Sequence, residues 1–413
     1  MEVFNPRFEP KALPAAAAKK KGLRVCVVGG GGTGAALAYD LALRGFEVTV
    51  LEKGELSSGT TGRHHGQLHC GARYAWADPN IAKECYEESL ILSAISPACI
   101  EYNGGFFVAT NPEEAALLPH FIERCADAGI PAREIPPESA RRAEPALSES
   151  ISAVAEVPDG SFDAFRLPLS FFAAARALGA RILPWHELVG IDVRGGRVTG
   201  VQARRLQGGA GRSLRLDCDF LISAAGAWAG RVGALAGLSV PVSPAAGSMA
   251  AVKGRLVNRV ISRLRPPGDG DILVPQRGLT IIGSTQRFAH SPEGLLPLPE
   301  ETTFLHAEAG LMAPAFSTMP IYAAWAAARP LAGFAKGQDM DGRSLSRDFA
   351  VVDHEDEGIA GMATIVGGKA TVLRAMGEKT ADFICRKLGV QEPCRTADFL
   401  LPSWREYYRG RNP

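Results

Sequence analysis

The run Val27-Val28-Gly29-Gly30-Gly31-Gly32-Thr33-Gly34 constrains the fold of this chain more than any other feature. It follows an alternating, β-branched stretch from Leu23 to Val28 and opens onto Ala35–Gly45, which has helical composition and ends at a glycine. Gly29, Gly31 and Gly34 then stand in the G-x-G-x-x-G register. The first permits a tight turn, the second leaves bare backbone for a pyrophosphate, and the third lets helix and strand pack closely, while the helix N-terminus supplies aligned N–H donors. Phe46–Leu51 reads as a second strand ending at Glu52, where a carboxylate can accept both hydrogen bonds of an adenosine ribose. Strand, turn, helix and strand together make a βαβ unit expected to hold a dinucleotide, with Thr33 in the same turn.

The rest of the chain bounds what that unit serves. At 413 residues, two lobes sharing one active site are expected rather than one core. Lys plus Arg number 45 against 44 Asp plus Glu, so no overall field draws the protein to nucleic acid or an anionic membrane, and any anion site is local. The eight cysteines are scattered with no C-x-x-C pair, which argues against a metal site and suits a reducing cytoplasm. Residues 1–22 run from alanines into lysines, the reverse of a secretory signal, and read as a flexible tail. No window of eighteen apolar residues is long enough to span a bilayer, which leaves open a peripheral association with the inner face of the cell membrane.

Along the chain, the Gly/Ser/Thr-rich stretch Gly54–Gly62 is a polar loop expected to touch the cofactor. Pro79–Ser96 has helical spacing, and Gly105–Thr110 reads as a strand entering the second lobe. Arg181–Pro184, Leu188–Val193, Arg197–Ala203 and Leu214–Ala225 read as strands, the last apolar enough to be central, with Gly208–Gly211 as a hairpin loop. Asp271–Pro275 and Leu279–Ser284 suit a sheet roofing a substrate, and Gly361–Val366 returns as a strand before a helix running to Leu388. The expected division is a cofactor domain of residues 23–104, 150–240 and 345–400, a substrate domain of residues 105–149 and 241–344, and a C-terminal tail of residues 401–413. In that tail, Trp404–Arg411 reads more readily as a disordered basic end than as a docking segment.

The fingerprint alone does not separate FAD from NAD. Two later segments favour a flavin. Phe220–Trp228 is an apolar strand ending in small residues, so that Ala225, Gly226 and Trp228 can approach a cofactor. Gly367-Gly368-Lys369, followed by Ala370 and Thr371 at a helix start, offers backbone contact and positive charge to a reduced ring.

The run Thr61-Gly62-Arg63-His64-His65-Gly66-Gln67-Leu68-His69-Cys70-Gly71-Ala72-Arg73-Tyr74 resembles FAD-dependent glycerol-3-phosphate dehydrogenases, especially the catalytic subunit of the anaerobic bacterial enzyme. Val157–Gly160, Asp271–Pro275, Ala328–Leu331, Ser346-Arg347 through Asp353-His354, and Cys385–Gly389 agree in order and spacing, so the resemblance covers Leu23 to Pro402. It implies an α/β fold with a Rossmann-like, FAD-binding lobe of the glutathione-reductase and D-amino-acid-oxidase type, and a second, strand-rich substrate lobe. It implies hydride transfer from a small anionic secondary alcohol to FAD, with electrons passed to quinone or to partner redox subunits. Lys53, Thr60, Thr61, Arg63, His64, His65, Gly66 and Leu188 join the cofactor-binding set.

Matching positions carry over roles. Arg329 corresponds to the arginine that anchors the anionic end, Lys369 to the lysine beside the flavin, and Arg73 with Tyr74 to a pair near the ring. His65 and His69 match histidines of the same loop, and either imidazole suits the base that takes the hydroxyl proton. The departures are His64 for asparagine, Gln67 for an apolar residue, Cys70 for serine, Ala246 for the lysine of a Pro-Ala-Lys-Gly-Ser segment, and Val372-Leu373 for Thr-Tyr. The expected reaction is oxidation of glycerol 3-phosphate, or a close relative, to dihydroxyacetone phosphate; the lost polarity sets beside it, in the same chemistry, a 2-hydroxy acid or a secondary amine as the alternative substrate. A flavin electron-relay subunit of a larger complex is the alternative of another class. The family's cysteine-bearing C-terminal domain has no counterpart after Cys394.

Overall fold

The computed structural model describes residues 9–15, 22–208, 211–333 and 348–409. Its first unit is the strand Arg24–Val28, the helix Gly32–Leu43 and the strand Glu47–Leu51. The helix starts ahead of the alanines because the glycines themselves enter it. A Cβ on Gly34 would stand 2.0 Å from the Gly29 carbonyl oxygen, so only glycine allows the first turn to close on the preceding strand.

Around this unit lies a six-stranded sheet in the order Phe349–Asp353, Met362–Gly367, Phe220–Ser223, Arg24–Val28, Glu47–Leu51, Arg181–Leu183. All neighbours are parallel except the first pair. A parallel sheet is buried on both faces, which is why its central strands, Phe220–Ser223, Met362–Gly367 and Arg24–Val28, are almost wholly buried. On one face Val25 and Val27 pack with the helices Gly32–Leu43, Arg166–Ala177 and Leu373–Leu388. On the other, Cys26 and Val28 meet Val198, Val201 and Ala203 of a three-stranded antiparallel sheet formed by His186–Arg194, Arg197–Arg205 and Ser213–Asp217.

The single strand expected over Leu214–Ala225 is two strands in two sheets, Ser213–Asp217 and Phe220–Ser223. The break falls at Cys218–Asp219, where the Asp219 carboxylate accepts the Arg24 backbone N–H at 2.8 Å and redirects the chain beside the first strand. The hairpin loop expected at Gly208–Gly211 lies partly, and Ser346-Arg347 wholly, outside the described residues.

The largest sheet has nine strands among the described residues. Val242–Lys253 is paired on one side with Ile321–Ala332 and on the other with Leu279–Gly283, followed by Ile272–Gln276, Val260–Arg263, Gly105–Ala109 and Ala153–Val157. The helix Pro299–Met312 covers one face through Leu305, Ala309 and Met312, which pack on Ala250, Val252 and Ile282.

Two segments near the chain's ends meet. Lys11 exchanges backbone hydrogen bonds with Asp398 and Leu400, at 2.7 and 2.8 Å. The expectation of a disordered C-terminal end is not met through Tyr408: Trp404–Tyr407 forms a short helix, and Tyr407 is fully buried because its ring fills a gap beside Phe172. Among the described residues no helix is long and apolar enough to cross a membrane, and no cluster of His, Cys, Asp or Glu is placed to hold a metal ion.

Candidate active site

A cavity of about 720 Å³ opens between the two large sheets. One end is built on the Gly-rich turn. Gly29 adopts φ 120°, and a Cβ there would collide with the Ala224 carbonyl oxygen at 2.4 Å, so the turn can lie flush against the end of the neighbouring strand. Gly31, the N-cap of the first helix, is open instead: a Cβ would meet only the tip of Thr61, at 3.0 Å. At Gly226 it would meet nothing within 4 Å. Glu52 accepts the backbone N–H groups of Gly30 and Gly54, each at 2.7 Å, which fixes its carboxylate while each oxygen retains acceptor capacity.

The Gly/Ser/Thr-rich loop forms the side wall. Thr61 Oγ1 accepts the Gly32 N–H at 3.0 Å, the Thr60 hydroxyl donates to the Ala328 carbonyl, and Trp325 Nε1 donates to the Arg63 carbonyl at 2.7 Å. The loop is thereby stitched to the strand that carries Arg329. Across the mouth, Glu293 accepts from Lys53 at 3.0 Å, from Trp228 Nε1 at 3.1 Å and from Arg231 at 2.5 Å. These bonds, that from Lys53 foremost, pull its carboxyl down to about 2.

The other end gathers cations and histidines. Lys369 Nζ is buried over the Tyr74 ring at 5.3 Å with no hydrogen-bond partner, and the His69 ring packs on the same Tyr74 at 5.1 Å. Arg73 donates from one nitrogen to Asp271 at 2.8 Å and to the Gly268 carbonyl at 3.0 Å, while its Nη1 is buried and unpartnered. Asp271, fully buried, also accepts from Arg265 Nε at 2.9 Å. Arg329 donates to Ser284 Oγ, to the Thr285 carbonyl at 3.0 Å and to Gln286 Oε1 at 3.1 Å.

The three histidines of the loop are held neutral. Burial pushes His64 down to about 4. Burial, then the charges of Lys369 and Arg73, push His69 to about 3. Burial, helped by His64 and Arg329, takes His65 well below its ordinary value. Hydrogen bonds separate their roles. His64 Nδ1 accepts the Gly66 N–H at 2.8 Å and His65 Nδ1 accepts the Gln67 N–H at 3.2 Å, whereas His69 Nδ1 has no partner. Asp159, buried beneath the loop, braces it by accepting from Gln67 Nε2 at 2.9 Å and from the Cys70 N–H at 2.7 Å.

The cavity wall brings together most of the residues singled out from sequence: Gly29, Gly31, Thr33, Glu52, Lys53, Thr60, Thr61, Arg63, His64, His65, His69, Arg73, Leu188, Ala225, Gly226, Trp228, Arg329, Gly367, Gly368, Lys369 and Ala370. Gly34, Gly66 and Thr371 lie behind it. Gly66, at φ 87°, packs against Gln276, and Thr371 is fully buried with an unpartnered hydroxyl. Ser284 and Gln286, which follow a strand whose end carries no motif, and Asp269, in the turn before the strand Ile272–Gln276, are wall residues that sequence reasoning missed.

Position 246 does not reach this cavity. Ala245 pairs with Arg329 across the sheet and Ala246 with Ala328, so Ala246 points to the opposite face. There it is fully buried on the side where Ser248 donates to Glu301 at 2.6 Å, and its other cross-strand neighbour, Arg287, lies 3.3 Å from Glu301.

An open glycine turn at a helix N-terminus, a fixed ribose-type carboxylate and an elongated cavity ending in unpartnered donors suit an extended, twice-negative dinucleotide such as FAD. Residues 24–379 match the family model described as FAD dependent oxidoreductase. In Haloferax volcanii, the A1 component of the anaerobic glycerol-3-phosphate dehydrogenase is 38% identical over 94% of this chain and 68% of its own length. The corresponding subunit of the Escherichia coli K12 enzyme is 38% identical over 92% of this chain and 70% of its own. The crystal structure of a glycerol-3-phosphate dehydrogenase from Bacillus halodurans, complexed with FAD, superposes with a TM-score of 0.69 at 22% identity, covering 92% of this chain and 67% of that one. The chain is an FAD-dependent oxidoreductase and belongs to the family of these anaerobic glycerol-3-phosphate dehydrogenase subunits.

Proposed function

We propose that the chain oxidises the secondary alcohol of glycerol 3-phosphate to dihydroxyacetone phosphate. The observation that carries this reading is the placement of Arg73 and Lys369 beside the neutral His69, with Arg329 beside His65 in the same cavity and buried donors on Arg73 and Lys369 that have no hydrogen-bond partner. A buried lysine ammonium without a partner is costly unless an anion meets it, and Arg73, already paired with Asp271 through one nitrogen, has its other nitrogen left as a further donor to the same anion.

FAD, when bound, supplies the acceptor for the hydride that leaves the carbinol carbon. Arg329 holds the phosphate, its fork steadied by Ser284 and Gln286. His69 takes the hydroxyl proton. It is the candidate base because its Nδ1 is free, whereas His65 Nδ1 is already occupied by a backbone N–H. Lys369, beside His69, offsets the negative charge that develops as the proton leaves, and Asp271 keeps Arg73 in place. The missing lysine at position 246 takes no cation from this end, because that side chain faces Glu301 and Arg287. Leu373, which lines the cavity where the family has tyrosine, still favours a second reading with a smaller or less charged anion such as a 2-hydroxy acid. In either case electrons leave to partner redox subunits or quinone at the inner face of the membrane, a reading supported by the relatives' being named as components of a multi-subunit enzyme.

The test is anaerobic addition of glycerol 3-phosphate, glycerol, and a panel of 2-hydroxy and amino acids to the FAD-loaded chain, following oxidised-flavin absorbance. Bleaching by glycerol 3-phosphate, slowed on the order of 10²–10⁴-fold in His69→Asn at unchanged flavin content, is the expected result. Bleaching by a carboxylate alone would move the substrate to the second reading.

A further inference from the structure

His65 shares its loop with His69 and lines the same cavity, but its ring is wired differently. Because Nδ1 accepts the Gln67 backbone N–H at 3.2 Å, the ring proton is on Nε2 and a second proton on Nδ1 is excluded. Such a ring can donate from Nε2 and has no lone pair left with which to take a substrate proton. The edge carrying Nε2 lies by the end of the strand Leu279–Gly283. A Cβ on Gly283 would stand 3.4 Å from His65 Cδ2, the ring atom bonded to Nε2. The next three residues, Ser284, Thr285 and Gln286, are those that hold the Arg329 guanidinium. Arg329 and Arg73 are the cations that act most on His65, and the carboxylate of Asp269 on the same wall accepts the Gln286 N–H at 3.3 Å.

We propose that His65 is a specificity-determining residue that donates its Nε2–H to the anionic group held by Arg329, and is not the base. The proposal rests on the reading of the Arg329 end as the anion site. A neutral donor next to a guanidinium adds a directional contact that a tetrahedral phosphate, with three terminal oxygens, can use beside the arginine fork. His65 thereby deepens the preference for a phosphate, whose third terminal oxygen its donor can meet, over a carboxylate, which has none.

Two variants of the full, FAD-loaded chain separate the two edges of the ring. His65→Asn keeps an acceptor near the Nδ1 position and deletes the Nε2 donor, while His65→Gln places an amide donor near Nε2. His65→Asn should weaken inorganic phosphate, read from its perturbation of the flavin spectrum, and raise KM for glycerol 3-phosphate, each about tenfold or more. Its kcat should stay within about threefold of wild type, and His65→Gln should recover most of the loss. An unchanged phosphate affinity in His65→Asn overturns the proposal. So does a fall in kcat at constant KM, or loss of an ionisation from the pH profile of kcat/KM, since either marks a base. Should His65→Asn shed its flavin, wild type and His65→Gln are compared instead, and a full phosphate-binding defect in His65→Gln is the overturning result. If glycerol 3-phosphate fails to bleach the wild-type flavin while phosphate affinity still depends on His65, the substrate reading fails and this proposal stands.

Discussion

The two ends of the cavity are made of different materials. The dinucleotide end is mostly backbone, from one continuous stretch of chain: a glycine turn, a helix N-terminus and a carboxylate pinned by two amides. The anion end is mostly side chain, drawn from segments far apart in sequence, with Arg73 and His69 on the loop, Arg329 on the nine-stranded sheet, and Lys369 after the last strand of the six-stranded one. Backbone sites tolerate no added bulk, and side-chain sites depend on charge and protonation. The two ends should therefore fail in different ways.

The sharpest contrast comes from bulk. Gly31→Val places branched carbons where a Cβ meets only the movable Thr61 hydroxyl, so the chain should fold but lose FAD. We expect a fall in FAD affinity of more than about 100-fold, the cost of displacing a pyrophosphate from bare backbone. Measured flavin content near one per chain in this variant would break the distinction between the two ends.

Acid should test the other end. His69 is pushed to about 3 in the fold, whereas in the unfolded chain it titrates near its ordinary 6.5. Between those values the unfolded chain binds the proton and the folded chain does not, so stability is full above about pH 6.5 and falls as pH drops. At pH 5 the loss from this residue alone is on the order of 2 kcal/mol. Unfolding midpoints in denaturant across pH 7 to 5 should show it, and His69→Gln should lessen the slope, leaving the part that His64 and His65 contribute. An equal slope in the variant would place the titration elsewhere.

The smallest effect belongs to the mouth. The bridge from Glu293 to Lys53, Trp228 and Arg231 is largely exposed, and exposed ion pairs contribute about 1 kcal/mol or less. Glu293→Gln should speed FAD release only about two- to fivefold, and moderate salt should do the same to the wild type. Fluorescence of released flavin measures this, and a much larger effect would make the mouth a third determinant in its own right.

The same division explains how much could be read from sequence. The glycine register, Glu52 and the first two strands were legible because backbone requirements leave fixed residue spacings. The difference between the His65 and His69 rings was not, because it lies in which ring nitrogen meets a neighbouring amide, a matter of loop geometry. Ala246 is no loss to the site, and sequence alone could not show it, because the facing of a strand residue is known only once its pairing to Arg287 and Ala328 is known. The split of Leu214–Ala225 hinged on one carboxylate, Asp219, capturing the amide of Arg24. Tyr407 carries no local pattern that announces a core residue; its burial depends on Phe172, more than two hundred positions earlier.

The loop that lines the cofactor end is fastened to the strand of Arg329 at Ala328 and Trp325. Linkage sets one condition on the two ends so joined: any factor by which FAD changes the affinity for the anion is the factor by which the anion changes the affinity for FAD.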